Sequence, residues 1–234
     1  MRRLPVLIAL ALAVMMFAGT SRAQEDEERR FIDLKQVPAE GSSVQDFVPR
    51  GWKIEGQTDG DLNGDSKPDT ALKLIEDLPE ETAGGVLNIR YRALLVLLRM
   101  ENGKLYRAAA ADRLLQCTGC GGMLGNPGGG DITIEKGVLI ISQLSGSRES
   151  TDLTQRFRYD PALKRFVLIG EDVVNSDRLT GESENESTNY LTGVKIIKKT
   201  RYDQKNDREV VVSSRTQRIP ARKRFIEDID YEKP

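Results

Sequence analysis

The chain alternates between apolar and polar positions with a period of two, in short runs divided by turn residues. Trp52-Lys53-Ile54-Glu55 and Ala71-Leu72-Lys73-Leu74 each alternate, which is the pattern of a half-buried strand. Thr151 to Tyr159 does the same, with Leu153, Phe157 and Tyr159 set against Thr154, Arg156 and Arg158. Asp160-Pro161-Ala162 then turns the chain, and Phe166-Val167-Leu168-Ile169 returns it, the clearest hairpin in the sequence. Ala93-Leu94-Leu95-Val96-Leu97-Leu98 is continuously apolar, as expected of a central strand, and Glu101-Asn102-Gly103-Lys104 turns it into Leu105-Tyr106-Arg107. Ile132-Thr133-Ile134 and Val138-Leu139-Ile140-Ile141 flank a Glu135-Lys136-Gly137 turn. Ser187 to Thr200 and Glu209 to Ser213 supply two later strands. Ala108 to Leu115 fits a helix by its alanines and a strand by its place after a hairpin.

About ten short strands with regular turn signals predict an all-β fold, an antiparallel meander, sandwich or set of partial propeller-like sheets with few or no helices. The predicted organisation is a signal peptide over residues 1–23, a flexible polar segment over 24–46, a β domain over 47–216 and a charged tail over 217–234. The leader is read from Met1-Arg2-Arg3, the apolar run Leu4 to Ala18, and small residues at Ser21 and Ala23 before Gln24. Its apolar core is too short for a comfortable membrane span. The sequence therefore predicts a secreted or periplasmic protein with no membrane span after cleavage.

Composition narrows the chemistry. The 234 residues contain no His and carry a formal net charge of −1. Without imidazole there is no Ser-His-Asp triad, Cys-His pair or His-ligated zinc. A mildly acidic chain gives no reason to expect nucleic acid.

The specific chemistry lies in Asp61-Leu62-Asn63-Gly64-Asp65-Ser66-Lys67-Pro68-Asp69. Asp61, Asn63, Asp65 and Asp69 stand at the first, third, fifth and ninth positions of a tight loop, and Lys67 stands at the seventh, where a backbone carbonyl suffices. Ca²⁺ takes six to eight oxygens at roughly 2.3–2.6 Å, and spacing by two turns alternate side chains towards one centre. An EF-hand is excluded: the twelfth position is Leu72 rather than Glu, the sixth is Ser66 rather than Gly, and the flanks are strands. The other reading of these residues is a plain polar turn.

A strand–loop–strand with this ligand order resembles the calcium loops of FG-GAP/VCBS-type repeat proteins over residues 52–75. The resemblance implies a structural Ca²⁺ between two strands. In that family such loops join strands of propeller blades, but this chain holds one copy, and a propeller needs about four to eight blades. Cys-x-x-Cys-Gly-Gly at 117–122, Phe157-Arg158-Tyr159, Leu168-Ile169-Gly170 and Asn189-Tyr190-Leu191-Thr192-Gly193 together resemble a group of exported bacterial proteins, which implies a β-sheet domain and no catalytic residue.

Cys117 and Cys120 are the only cysteines. Gly121 and Gly122 after them disfavour the helix that a redox dithiol needs, and zinc lacks two further ligands, so a local disulfide is expected. The Gly119–Gly130 stretch lacks the Lys-Ser/Thr of a phosphate loop and reads as a connection. The basic stretch from Lys195 to Arg224 fits either an anionic ligand or the solvated face of strands. The reading that results is a non-catalytic domain for an unknown surface or periplasmic ligand. The alternative is a carboxylate-dependent hydrolase with a structural cation, whose two carboxylates no sequence pattern selects.

Overall fold

The computed structural model describes residues 31–125 and 128–233. The fold is all-β and consists of two antiparallel sheets. The first has five strands in the order β1-β5-β4-β3-β2: β1 (Glu40–Gly41), β2 (Trp52–Gly60), β3 (Asp69–Glu76), β4 (Arg92–Arg99) and β5 (Leu105–Ala111). The second is a seven-stranded meander: β6 (Asp131–Glu135), β7 (Val138–Gly146), β8 (Glu149–Asp160), β9 (Arg165–Asp177), β10 (Glu182–Asn189), β11 (Val194–Asp203) and β12 (Arg208–Arg218). Helical structure among the described residues is limited to three short 3-10 turns, at Val44–Phe47, Gly122–Leu124 and Ile226–Asp228.

The continuous apolar run of β4 has a direct cause, because the strand is buried on both faces. Leu94, Val96 and Leu98 point into the core between the two sheets, where they meet Leu139, Ile141, Phe157, Phe166 and Leu168 of the second sheet. Ala93, Leu95 and Leu97 point the other way, into a second core with Leu72, Leu74, Leu105, Ile32, Val37 and Phe47. The first sheet is thus the middle layer, with the second sheet on one side and the segment from Ile32 to Phe47 on the other.

This arrangement corrects the expected boundaries. Residues 24–46 read as flexible and polar with a short docking contact at Phe31 and Ile32; in the part described Ile32 does dock, Phe31 stays exposed, and beyond that contact Val37 is buried and Glu40–Gly41 pairs with β5. The expected tail over 217–234 delivers Ile226 and Ile229, both buried, into the core between the sheets. Too few apolar residues stand in either segment to form a pattern, and only some of them, Ile32, Val37, Ile226 and Ile229, are buried, while Phe31 and Leu34 stay exposed. The expected leader, residues 1–23, lies outside the described residues.

Ala108 to Ala111 belong to a strand, not a helix: Ala109, Ala110 and Ala111 pair with Val96, Leu95 and Leu94 across β4–β5, and Ala108 sits at a register shift between them and Arg107. Their small side chains fit because both faces of that strand are packed. Ser187 to Thr200 is not one strand but two, with Tyr190 to Gly193 as the turn between β10 and β11. The first half of β10 was missed because Glu182-Ser183-Glu184-Asn185-Glu186 has no apolar period. The blade-like alternative for the sheets gives way to two sheets packed through one shared core.

Candidate functional site

The β2–β3 connection carries the nine-residue Asp-rich segment, from Asp61 just past Gly60 to Asp69 at the first position of β3. Gly64 (φ +84°) and Ser66 (φ +64°) take left-handed backbone, which curls the loop tightly. That curl turns its amides inward. Asp61 accepts from the amides of Gly64 at 2.7 Å and Ser66 at 2.8 Å. Asn63 Oδ1 accepts from the Asp65 amide at 2.9 Å, and Asp65 Oδ1 from the Lys67 amide at 2.9 Å. The Lys67 ammonium lies 3.8 Å from Asp65 Oδ2. The Ser66 amide is the largest influence holding the Asp61 carboxyl below its ordinary range.

Asp69 differs from the rest in being fully buried. Its Oδ2 accepts from the Leu62 amide at 2.8 Å and its Oδ1 from the Arg99 amide at 2.7 Å. It therefore clamps the loop to the end of β4. Burial pushes its proton affinity up, the two amides pull it down, and the charges of Asp65 and Asp61 push it up again. The Arg99 guanidinium does not answer that charge directly, for it donates to the carbonyls of Pro68 (3.1 Å) and Gly103 (3.2 Å). Asp59 stays with the strands, accepting from Thr70 Oγ1 at 2.6 Å and from the Gln57 amide group, so it adds no oxygen to the loop.

The five predicted residues, Asp61, Asn63, Asp65, Lys67 and Asp69, are thus brought into one curled loop. Among the described residues no three His, Cys, Asp or Glu side chains stand together as a ready metal site. The donor set still suits a hard cation. All its side-chain donors are oxygens, each carboxylate oxygen accepts at more than one position, and the loop concentrates negative charge around a buried carboxylate.

Family models, curated proteins and solved structures were compared with this chain, and none matches. Any reading of the site therefore rests on its own residues.

Cys117 and Cys120 form a disulfide, as expected, with Cys117 buried and Cys120 Sγ 2.9 Å from the Tyr231 hydroxyl. The glycine-rich connection that follows is held by a charged cluster that no motif announces. Arg92, fully buried, donates from Nε and Nη2 to Glu55 at 2.6 and 2.7 Å, and from Nη1 to the Gln116 carbonyl at 2.7 Å. Lys73 Nζ donates to the Gly128 carbonyl at 2.7 Å and lies 3.9 Å from Glu55. Burial lowers the Lys73 proton affinity, with Arg92 adding to the effect and Glu55 opposing it. Glu55 is placed by a register shift between Ile54 and Gly56, a bulge that frees it from the ladder. Gly129 (φ +69°) is required beside this cluster, because a Cβ there would stand 2.5 Å from Arg92 Cδ.

The basic stretch meets carboxylates along much of its length. Lys199 lies 3.0 Å from Glu184, Lys195 pairs with Glu186, Lys223 lies 3.0 Å from Asp160, and Arg224 lies 3.9 Å from Glu171. Two of these acids lie on β10, whose polar sequence is thereby explained: it supplies the counter-charges to β11.

Proposed function

We propose that this protein is an exported, non-catalytic β-sandwich for a surface or periplasmic ligand, and that its 61–69 loop takes one structural Ca²⁺. The observation that carries the ion is the curl itself: left-handed backbone at Gly64 and Ser66 gathers the oxygens of Asp61, Asn63 and Asp65 in one turn that ends on the buried Asp69. Asp61, Asn63, Asp65 and Asp69 would supply side-chain oxygens and Lys67 its carbonyl. The ion would supply positive charge where three carboxylates repel one another. The chain's own part is to set those oxygens on a curl fixed by Gly64 and Ser66, and to tie that curl to β4 through Asp69.

Export is supported by the leader pattern and by the Cys117–Cys120 disulfide, which suits an oxidising compartment. Among the described residues no helix is long and apolar enough to cross a membrane. The absence of His supports a binding role over imidazole-based catalysis.

Equilibrium dialysis of the mature chain against labelled Ca²⁺, with Mg²⁺ as competitor, tests the ion. One equivalent should bind, and Asp61→Ala or Asp65→Ala should abolish it. Retention of no Ca²⁺ at millimolar free ion would remove the proposal.

A further inference from the structure

One end of the sandwich holds an open cleft of about 460 Å³, lined by the Asp-rich loop, the β4–β5 hairpin, the end of β8 and the β8–β9 turn. Asn63 and Asp65 form one lip, Glu101 and Lys164 stand at the others, and Tyr106 and Tyr159 are half-buried in its wall. Its size falls within the range of small-ligand sites.

The lining has two properties that together select a ligand. First, many of its polar groups have no protein partner. Among the described residues, the hydroxyls of Tyr106 and Tyr159, the ammonium of Lys164, the carboxylate of Glu101 and the side-chain NH₂ of Asn63 make no hydrogen bond within the chain. Donors and acceptors are therefore both on offer, around two aromatic rings. Second, the charges balance, with Asp65 and Glu101 against Lys164 and Arg99. A ligand with strong net charge meets as much repulsion as attraction, and a purely apolar one would strand the polar groups without partners.

A neutral, polyhydroxylated molecule meets both conditions. Its hydroxyls donate and accept equally, and its C–H faces lie against tyrosine rings, which are apolar in the body and polar at the tip. We infer that this cleft is a binding site for a neutral glycan, with Tyr106 and Tyr159 as the platform and Asn63, Asp65, Glu101 and Lys164 as its hydroxyl-binding rim. The inference rests on the binding role proposed above and names its ligand class. It needs the loop as a lip of the cleft but does not need the ion.

The test uses the full mature chain on an array of neutral glucose-, mannose-, galactose- and N-acetylglucosamine-terminated oligosaccharides, with sialylated and sulfated counterparts. A neutral glycan that binds is then titrated calorimetrically. Tyr106→Phe and Tyr159→Phe each remove one unpartnered hydroxyl, so the thermal midpoint should hold while affinity falls about 3- to 10-fold. Tyr106→Ala should abolish binding. The inference is overturned if no neutral glycan binds, if only acidic ones do, or if both Phe variants bind as the parent does. Repeating the titration in EDTA separates the two proposals. Glycan binding without any Ca²⁺ uptake keeps the cleft and removes the ion; Ca²⁺ uptake without glycan binding does the reverse.

Discussion

Replacing Asp69 by Ala should unfold the protein far more readily, whether or not an ion is bound. Its two oxygens satisfy the amides of Leu62 and Arg99 at 2.8 and 2.7 Å, and the side chain is fully buried. Alanine leaves both amides without their acceptor, and no water reaches a fully buried position cheaply. A hydrogen bond from an amide to a charged group contributes about 1.5–3 kcal/mol. The loss of two is partly offset because a desolvated carboxylate disappears, so the net destabilisation should be about 3 kcal/mol. For a chain of this length that corresponds to a fall in thermal midpoint of roughly 6–12 °C. Urea unfolding in EDTA, followed by far-ultraviolet circular dichroism, measures it without interference from Ca²⁺. Asp69→Asn retains one acceptor oxygen and should lie between the parent and Asp69→Ala. A loss below about 0.5 kcal/mol for Asp69→Ala, the scale of an ordinary surface change, would refute the clamp.

Three further outcomes follow from other parts of the fold. Arg92→Met leaves Glu55 with only Lys73, 3.9 Å away, and the Gln116 carbonyl without this donor, and should cost about 3 kcal/mol by denaturant unfolding, the lower end for breaking a buried ion pair. Reducing Cys117–Cys120 opens a very short loop and should remove only about 2 kcal/mol, with the native circular dichroism spectrum retained at 25 °C. The pH dependence of Asp69 should run opposite to the usual carboxylate. Its folded proton affinity is raised, so the proton-linked part of its contribution, separate from the hydrogen bonds to the Leu62 and Arg99 amides, is fullest below the ordinary carboxylate value near 4 and is lost as pH rises through the folded value. In EDTA, the parent should therefore gain stability relative to Asp69→Asn as pH falls through that window, measured by paired melts. Asp61, held low by the Ser66 amide, works the other way and loses its contribution only below that range.

The fold class was legible because its main strands carry the period of their burial. β4 reads as continuous because it separates two cores, and the β8–β9 hairpin reads cleanly because one of its faces holds Phe157, Phe166 and Leu168 against solvent on the other. β10 was not legible in its first half, since its side chains meet cations of β11 rather than a core. The docking of Ile32 was legible, but the burial of Val37 and of Ile226 and Ile229 was not, because one or two apolar residues decide the place of each segment. At the candidate site, the spacing of Asp61, Asn63, Asp65 and Asp69 was visible in a single stretch, and left-handed backbone at Gly64 and Ser66 curls that stretch into one loop. What the sequence could not hold was anything distant. Arg99 stands 30 residues after Asp69, Glu55 stands 37 before Arg92, and the tyrosines of the cleft come from separate sheets. No local pattern links such partners; only the strand register does.

The measurement that tests the central claim most directly is the thermal midpoint of the protein in excess Ca²⁺ against the same protein in EDTA. An ion that binds the folded loop and not the unfolded chain stabilises by about 2.7 kcal/mol at a hundredfold excess over its dissociation constant, which corresponds to a rise of roughly 5–10 °C. The account predicts that rise for the parent and its loss in Asp61→Ala. Identical midpoints for the parent in Ca²⁺ and in EDTA would contradict it, leaving Asp61 to Asp69 as a turn that closes on its own amides.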